Sequence, residues 1–161
     1  MQNLPRCGMI QTLSRALGAL RRTLPQRGKG MNKNEAIFAR LQRLGMDTGQ
    51  ALGRFMGNEE LLLHFVCQLP GHLRFAEARQ SLAGEDEETF YMLVHGMKGI
   101  AGNLSIEGLF DCCQAILVEF RTSRFQNGTK LAALLREAET ESEALVACIR
   151  QYAQERKEAE G

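Results

Sequence analysis

The chain has 161 residues, which is enough for one ordinary domain with some residues left for a tail. Hydrophobic residues make up 44% and charged residues 24%, as in a soluble globular protein. The first 34 residues carry seven basic and no acidic side chains, so the remainder carries 13 basic and 19 acidic ones. An acidic folded part is a poor candidate for nucleic-acid binding, which depends on neutralising phosphates. No segment approaches the ~18 uninterrupted apolar residues of a membrane span.

Residues 1–33 form a basic segment whose apolar residues recur at steps of three and four, as on one helical face: Ile10, Leu13, Leu17, Leu20 and Leu24. A basic amphipathic helix binds a membrane surface or a partner, and an Arg-rich start without acids is also typical of organelle targeting. The alternative is a mobile tail, or a translation start at Met31 that makes residues 1–30 non-native. We favour the tail over membrane contact.

Beyond this segment the pattern predicts helices separated by short breaks. A short helix ends at Gly45, and Asp47 caps a second one. Asn58 is a good N-cap for a long helix, which Pro70 should bend or break and Gly84 should end.

Three further long helices follow. The acidic residues 85–88 open a helix that extends to about Asn103. Ser105 is predicted to cap the next helix and, after a turn at 126–128, Thr129 the last one. The inner side of the helix after Ser105 comprises Leu109, Cys113, Ile116, Leu117 and Phe120. The last helix repeats core residues for about three heptads, at Leu131, Leu135, Ala138, Ser142, Leu145, Ile149 and Tyr152.

These elements predict an all-α fold, an antiparallel up-down four-helix bundle with short additional N-terminal helices. The bundle occupies residues 34–156, between the tail of residues 1–33 and a C-terminal tail of residues 157–161. The five cysteines are an odd number and lack the two-residue spacing of a zinc or redox motif. They predict reduced thiols and a cytoplasmic protein.

The helix around His95 carries the chemical signal. On a helical wheel its core face is centred nearly opposite His95, which is therefore predicted to face solvent. That core face comprises Phe90, Leu93, Val94, Met97, Ile100, Ala101 and Leu104. Gly99 and Gly102 follow His95 by one and two turns on its own face, and each costs about 1 kcal/mol relative to Ala in a helix interior. They leave the surface beside the imidazole bare and predict the close approach of another backbone.

Lys98 lies three residues after His95, on the flank of the same face. Its ammonium group is predicted to stabilise an anion held on the ring, such as a phosphoryl group. An exposed imidazole is available in its neutral, nucleophilic form near neutral pH. Because no acid, base or metal cluster accompanies His95, we predict a carrier site whose chemistry is completed by a partner.

The run VHGMKGIAGNL at 94–104, followed by Leu109, resembles the signature of the histidine-phosphotransfer family, and the likeness covers about residues 35–155. The resemblance implies a phosphorelay intermediate of two-component signalling without autonomous kinase activity. It implies phosphorylation of His95 on Nε2 and exchange with the aspartate of a response-regulator receiver domain. Mg²⁺ is then bound by that receiver domain, and this chain holds no cofactor. A hybrid sensor kinase is the implied second partner, and the chain itself is expected to be a monomer.

Two positions depart from the family pattern. Ile100 replaces a commonly small residue, and because the wheel places it towards the core the change should be harmless. Ser105 stands ten residues after His95, where the family usually has Gly. Because Ser is small, docking should survive, with Gly99, Gly102 and Ser105 forming the surface that a partner approaches.

Three other functions were weighed against this one. The phosphorylated His of a histidine kinase is followed by an acidic residue and soon by Pro, whereas here a glycine follows and no Pro occurs after Pro70. A metal- or haem-binding bundle needs inward carboxylates and histidines, and neither His64 nor His72 has a paired acid at ligand spacing. An adaptor that works without phosphorylation has no need for both His95 and Lys98.

Overall fold

The computed structural model describes residues 33–160, and side chains through residue 159. In chain order the helices are α1 (Lys33–Arg43), α2 (Thr48–Arg54), α3 (Glu59–His72), α4 (Phe75–Ala83), α5 (Glu87–Asn103), α6 (Glu107–Ser123) and α7 (Gly128–Glu160), with a 3₁₀ turn at Arg124–Asn127. Within this part of the chain the fold is all-α, as predicted. The stripe of Leu and Ile residues expected in the basic segment lies outside the described residues.

Several helices begin where the sequence predicted a cap. The side chain of Asp47 accepts a hydrogen bond from the backbone N–H of Gln50, and that of Asn58 accepts one from Leu61, at 2.9 Å and 3.0 Å. Each bond satisfies a backbone donor that the first turn leaves without an internal partner. The break near Pro70 is also confirmed, since α3 ends at His72 and the chain resumes as α4.

Two predicted caps are wrong. The N-cap position of α6 is Ile106, one residue after Ser105, and no side-chain hydrogen bond caps that helix. Thr129 lies inside α7, because the predicted turn at 126–128 is instead the end of a 3₁₀ turn that continues directly into the helix. The backbone of Gly128 is already helical, at φ −56° and ψ −35°, so no capping residue is needed there.

The predicted C-terminal tail is helical as far as the structure describes it. Helix α7 continues through Glu160, and the amide of Gln154 donates to Glu158 one turn later at 2.8 Å. Lys, Glu and Ala are good helix formers, and no Gly or Pro interrupts 157–160. No helix in the described range is both long and apolar enough to cross a membrane.

Helix α5 packs mainly on α6, and also on α4 and α3, while α7 packs on α6, α3, α4 and α1. The predicted inner residues of α6 and all seven predicted core positions of α7 are buried. Contacts pair the beginning of α5 with the end of α6, so these two helices run antiparallel. The same apolar core holds both helices, and it fixes the register between their exposed faces.

Candidate functional site

Helix α5 positions the candidate site. Asp86 caps it by accepting a hydrogen bond from the backbone N–H of Thr89 at 3.0 Å, and hydrogen bonds from Thr89 hold the pKa of Asp86 below its ordinary value. Five of the seven residues of the predicted core face are buried, and they offset the poor helix propensity of the glycines. These buried residues are Phe90, Val94, Met97, Ala101 and Leu104, whereas Leu93 and Ile100 are half-buried against the same core. Since the core side of α5 is fixed, the opposite side has a fixed orientation toward solvent.

His95 lies on that opposite side and is exposed, in agreement with the wheel. Its ring stacks on the ring of Tyr91, one turn earlier, with the centroids 5.6 Å apart and the planes 17° from parallel. Arg121 on α6 donates from Nη2 to the hydroxyl oxygen of Tyr91 at 3.1 Å. The imidazole therefore stands on the surface with a neighbour on one of its faces.

The ammonium group of Lys98 is held by α6. Its Nζ donates to Oε1 of Gln114 at 3.0 Å and lies 5.4 Å from the centroid of the Phe110 ring. Burial raises the pKa of Cys113 to about 12, although the positive charge of Lys98 acts in the opposite direction. The thiol of Cys113 is thus no competing nucleophile near neutral pH. Lys98 is a partly buried cation with a defined position one turn from His95.

Gly96 and Gly99 leave open space beside His95. A Cβ atom added at either glycine would meet no atom within 4 Å. Both glycines line a groove of about 560 Å³ between α5 and the α2–α3 region, together with Phe55 and Phe65 among others. The predicted open surface next to the imidazole is present at Gly99, and it extends to Gly96.

Gly102 has a different environment from the one predicted. A Cβ atom at this position would lie 3.3 Å from Cδ2 of Phe110 on α6. The glycine therefore allows an aromatic ring of the same chain to pack closely on α5, although the wheel placed Gly102 on the face opposite the core. Gly102 is half-exposed, so its role in the approach of a partner stays a prediction.

Ser105 is also misplaced by the prediction, because only 3% of the residue is exposed. Its backbone is left-handed, with φ 53°, and its carbonyl oxygen accepts a hydrogen bond from the N–H of Asp47 at 2.9 Å. The hydroxyl group donates to Oε1 of Gln50 at 3.0 Å. Ser105 links the turn before α6 to α2, so it does not form a surface that a partner approaches.

The prediction from sequence did not include three residues of the site: Tyr91, Gln114 and Arg121. Each lies on an exposed or partly exposed position where α5 meets α6. One signal was available, since Tyr91 precedes His95 by one turn and i,i+4 side chains are neighbours. The positions of the two α6 residues next to α5 depend on the register between these helices. A helical wheel of one helix gives no information on that register.

The other histidines have simpler surroundings. His64 is exposed on α3, and its Nε2 lies 2.9 Å from Nε2 of Gln68. His72 is exposed at the end of α3 and lines the groove from the side opposite α5. Among the residues that the structure describes, no three His, Cys, Asp or Glu side chains are placed to hold a metal ion.

Comparison with known proteins adds no assignment to this geometry. No protein-family model, no curated protein and no solved structure matches the chain. What the site does must be inferred from an exposed imidazole with a stacked tyrosine, a fixed ammonium group and an open groove.

Proposed function

We propose that this chain is a phosphocarrier of the histidine-phosphotransfer type, which accepts a phosphoryl group on His95 and exchanges it with the aspartate of a response-regulator receiver domain. The observation that carries the proposal is the surroundings of an exposed imidazole, with open backbone on one side and a fixed cation on the other. A phosphoryl anion needs such a cation, and a bulky protein partner needs the open side.

The proposed fold is the antiparallel four-helix bundle expected from the sequence. Its four members are α3 continued by α4, then α5, α6 and α7, with α1 and α2 as additional helices at the front. Antiparallel pairing is supported by the contact of Arg156 with Glu60 and by that of Arg79 with Glu139. The bundle supplies a rigid support, so that His95 needs no active-site cleft of its own.

The proposed reaction follows from the chemistry of an imidazole. Nε2 of neutral His95 attacks the phosphorus atom of an aspartyl phosphate, and the N–P bond forms as the P–O bond to the carboxylate breaks. The carboxylate leaves as an anion, and the ring keeps its proton on Nδ1 and becomes positively charged. Mg²⁺ on the receiver domain would supply positive charge for the phosphoryl oxygens. Lys98 supplies positive charge from this chain, and the reverse reaction uses the same groups.

The test is transfer of label from receiver domains of the source organism that have been charged with radiolabelled acetyl phosphate in the presence of Mg²⁺. We expect acid-labile, base-stable label on the wild-type chain and none on His95→Gln. His64→Gln removes another exposed histidine and is the matched control, which should keep full labelling. Failure of the wild type to take label from any of these receivers contradicts the proposal and favours a phosphorylation-independent adaptor.

Lys98→Ala tests the role of the cation. We expect transfer to slow about tenfold, which is less than the loss in His95→Gln, because one charge-assisted hydrogen bond of this kind contributes about 1.5–3 kcal/mol. Lys157→Ala removes an exposed lysine from α7 and should leave the rate unchanged. An unchanged rate in Lys98→Ala means that the ammonium group serves only its contact with Gln114.

A hybrid sensor kinase as the second partner and a cytoplasmic location belong to the same proposal. They follow from the proposed phosphorelay step, in which a receiver domain must first be phosphorylated by a kinase. The chain itself is proposed to have no kinase activity. Incubation of the purified chain with radiolabelled ATP, without any other protein, should therefore leave it unlabelled.

A further inference from the structure

The side chain of Tyr91 stacks on that of His95 on the solvent side of α5. The rings lie nearly parallel, at 17°, with centroids 5.6 Å apart. An exposed histidine ordinarily exchanges among rotamers within nanoseconds. A ring that lies against one face of the imidazole restricts that exchange, and it leaves the other face and the ring edge accessible.

Tyr91 is itself held from the neighbouring helix. Arg121 donates to its hydroxyl oxygen at 3.1 Å, and the central carbon of the guanidinium group lies 5.8 Å from the centroid of the tyrosine ring. The ring of Tyr91 also packs against the buried core. Contacts with α6 and the core therefore fix the tyrosine ring. The fixed ring in turn restricts the rotation of the His95 side chain.

We propose that Tyr91 is a positioning residue for phosphoryl transfer at His95, with Arg121 holding Tyr91 in place. This inference rests on the proposed function. Attack on an aspartyl phosphate requires one ring nitrogen to lie in line with the P–O bond that breaks, and restriction of the imidazole before docking removes part of the entropic cost of reaching this geometry. The ring becomes positively charged as the N–P bond forms, and the π face of Tyr91 stabilises that charge.

The test compares two substitutions of similar bulk at one position. Tyr91→Phe keeps an aromatic ring, whereas Tyr91→Leu keeps apolar volume without a flat face. The measurement is the first-order rate constant of transfer at saturating phosphorylated receiver, together with the receiver concentration that gives half of that rate. We expect Tyr91→Phe to stay within about twofold of wild type and Tyr91→Leu to be about five- to tenfold slower, as expected for loss of a cation–π contact and of ring order.

The half-saturating receiver concentration separates positioning from docking. We expect it to stay within about twofold of wild type in both variants, because only the geometry after docking changes. An increase in this concentration with an unchanged rate constant makes Tyr91 a docking contact and overturns the inference. A Tyr91→Leu rate constant equal to that of wild type overturns it as well.

Arg121→Gln tests the support of the tyrosine. We expect a loss of about two- to threefold in the rate constant, which is smaller than in Tyr91→Leu because the core still holds part of the ring. Arg150→Gln removes an exposed arginine on α7 and should have no effect. An Arg121→Gln rate constant equal to that of wild type removes the arginine from the inference.

Failure of the inference can be distinguished from failure of the proposed function. If wild type takes label and all Tyr91 variants transfer at the wild-type rate, only the inference is overturned. If wild type takes no label from any charged receiver, the proposed function is overturned and the inference falls with it. A ring-to-ring nuclear Overhauser effect between Tyr91 and His95 is expected in the free protein, and its absence also overturns the inference.

Discussion

The two flanks of His95 are built in opposite ways. On the α6 flank, which comprises Tyr91, Lys98 and Gly102, each position is in contact with a side chain of the neighbouring helix. On the groove flank, which comprises Gly96 and Gly99, the nearest positions have open space in front of them. On one flank the positions are in contact with α6, and on the other they face open space.

The difference separates two requirements of a carrier site. Charge and ring orientation must be fixed before a partner arrives, because reorganisation during the reaction costs free energy. Access must remain open, because the phosphoryl donor is attached to a bulky protein. The α6 flank fulfils the first requirement and the groove flank the second.

The groove flank also has apolar side chains near its edge. Phe65 on α3 is 40% exposed, and Met56, in the turn between α2 and α3, is 91% exposed. Met56 lies in this turn with a left-handed backbone, at φ 54°. We expect a partner that reaches His95 to pass over this flank, because apolar exposed surface is characteristic of the centre of protein interfaces.

Among the substitutions that test the difference between the two flanks, Gly99→Leu has the largest expected effect on the transfer rate. The side chain would project into the open groove, so we expect the free energy of unfolding to stay within about 1 kcal/mol of wild type. The added bulk should slow transfer from a charged receiver by at least about tenfold, since a misplacement of about 1 Å can cost more than this factor. Transfer rates and urea unfolding of the same preparations check both expectations.

The control is Gly128→Leu at the start of α7, where an added Cβ also meets nothing within 4 Å. It should leave the transfer rate unchanged. Equal rates for Gly99→Leu and wild type contradict the assignment of the groove flank as the open side.

Alanine substitutions at Gly99 and Gly102 have a smaller expected effect. They compare the two flanks through the free energy of unfolding. Gly99→Ala should increase the free energy of unfolding by about 1 kcal/mol, because Ala is the better helix former and the space is empty. At Gly102 the Cβ would lie 3.3 Å from the ring of Phe110. Displacement of this ring should cancel most of the gain. Urea unfolding of the two variants measures this difference. Equal stabilisation by both substitutions contradicts close packing of Phe110 on Gly102.

Local periodicity was sufficient to predict most of the helical framework. Apolar residues that recur with the helical period become buried in whatever bundle the chain forms, so the core positions of α7 and the exposure of His95 followed from the wheel. Asp47 and Asn58 were recognisable as caps, since a cap acts within three residues. These features depend on short stretches of chain.

The caps predicted at Ser105 and Thr129 are local errors, whereas the contacts that the sequence analysis missed are distant in sequence. Arg121 meets Tyr91 across 30 positions, and Gln114 meets Lys98 across 16. Their pairing depends on how far α6 is shifted along α5, which no pattern within either helix determines. The proximity of Phe110 to Gly102 was missed for the same reason, because the wheel shows that Gly102 lies beside His95 but does not show which α6 residue lies next to it.

Ser105 is the remaining departure, and its substitution gives the smallest expected effect. A left-handed backbone, as at Ser105 with φ 53°, costs a residue other than Gly about 1–2 kcal/mol. Ser105→Gly relieves that strain but loses the hydrogen bond to Gln50, so we expect a net change of only about a few tenths of a kcal/mol.

Ser105→Ala separates the two contributions, because it loses the same hydrogen bond and keeps the strained backbone. It should be about 1 kcal/mol less stable than Ser105→Gly in urea unfolding. Since Ser105 is buried against α2, both variants should keep the wild-type rate of transfer and the wild-type half-saturating concentration of receiver. A change in that concentration restores the predicted role of Ser105 in partner approach. Unchanged transfer places Ser105 outside the surface that the partner uses.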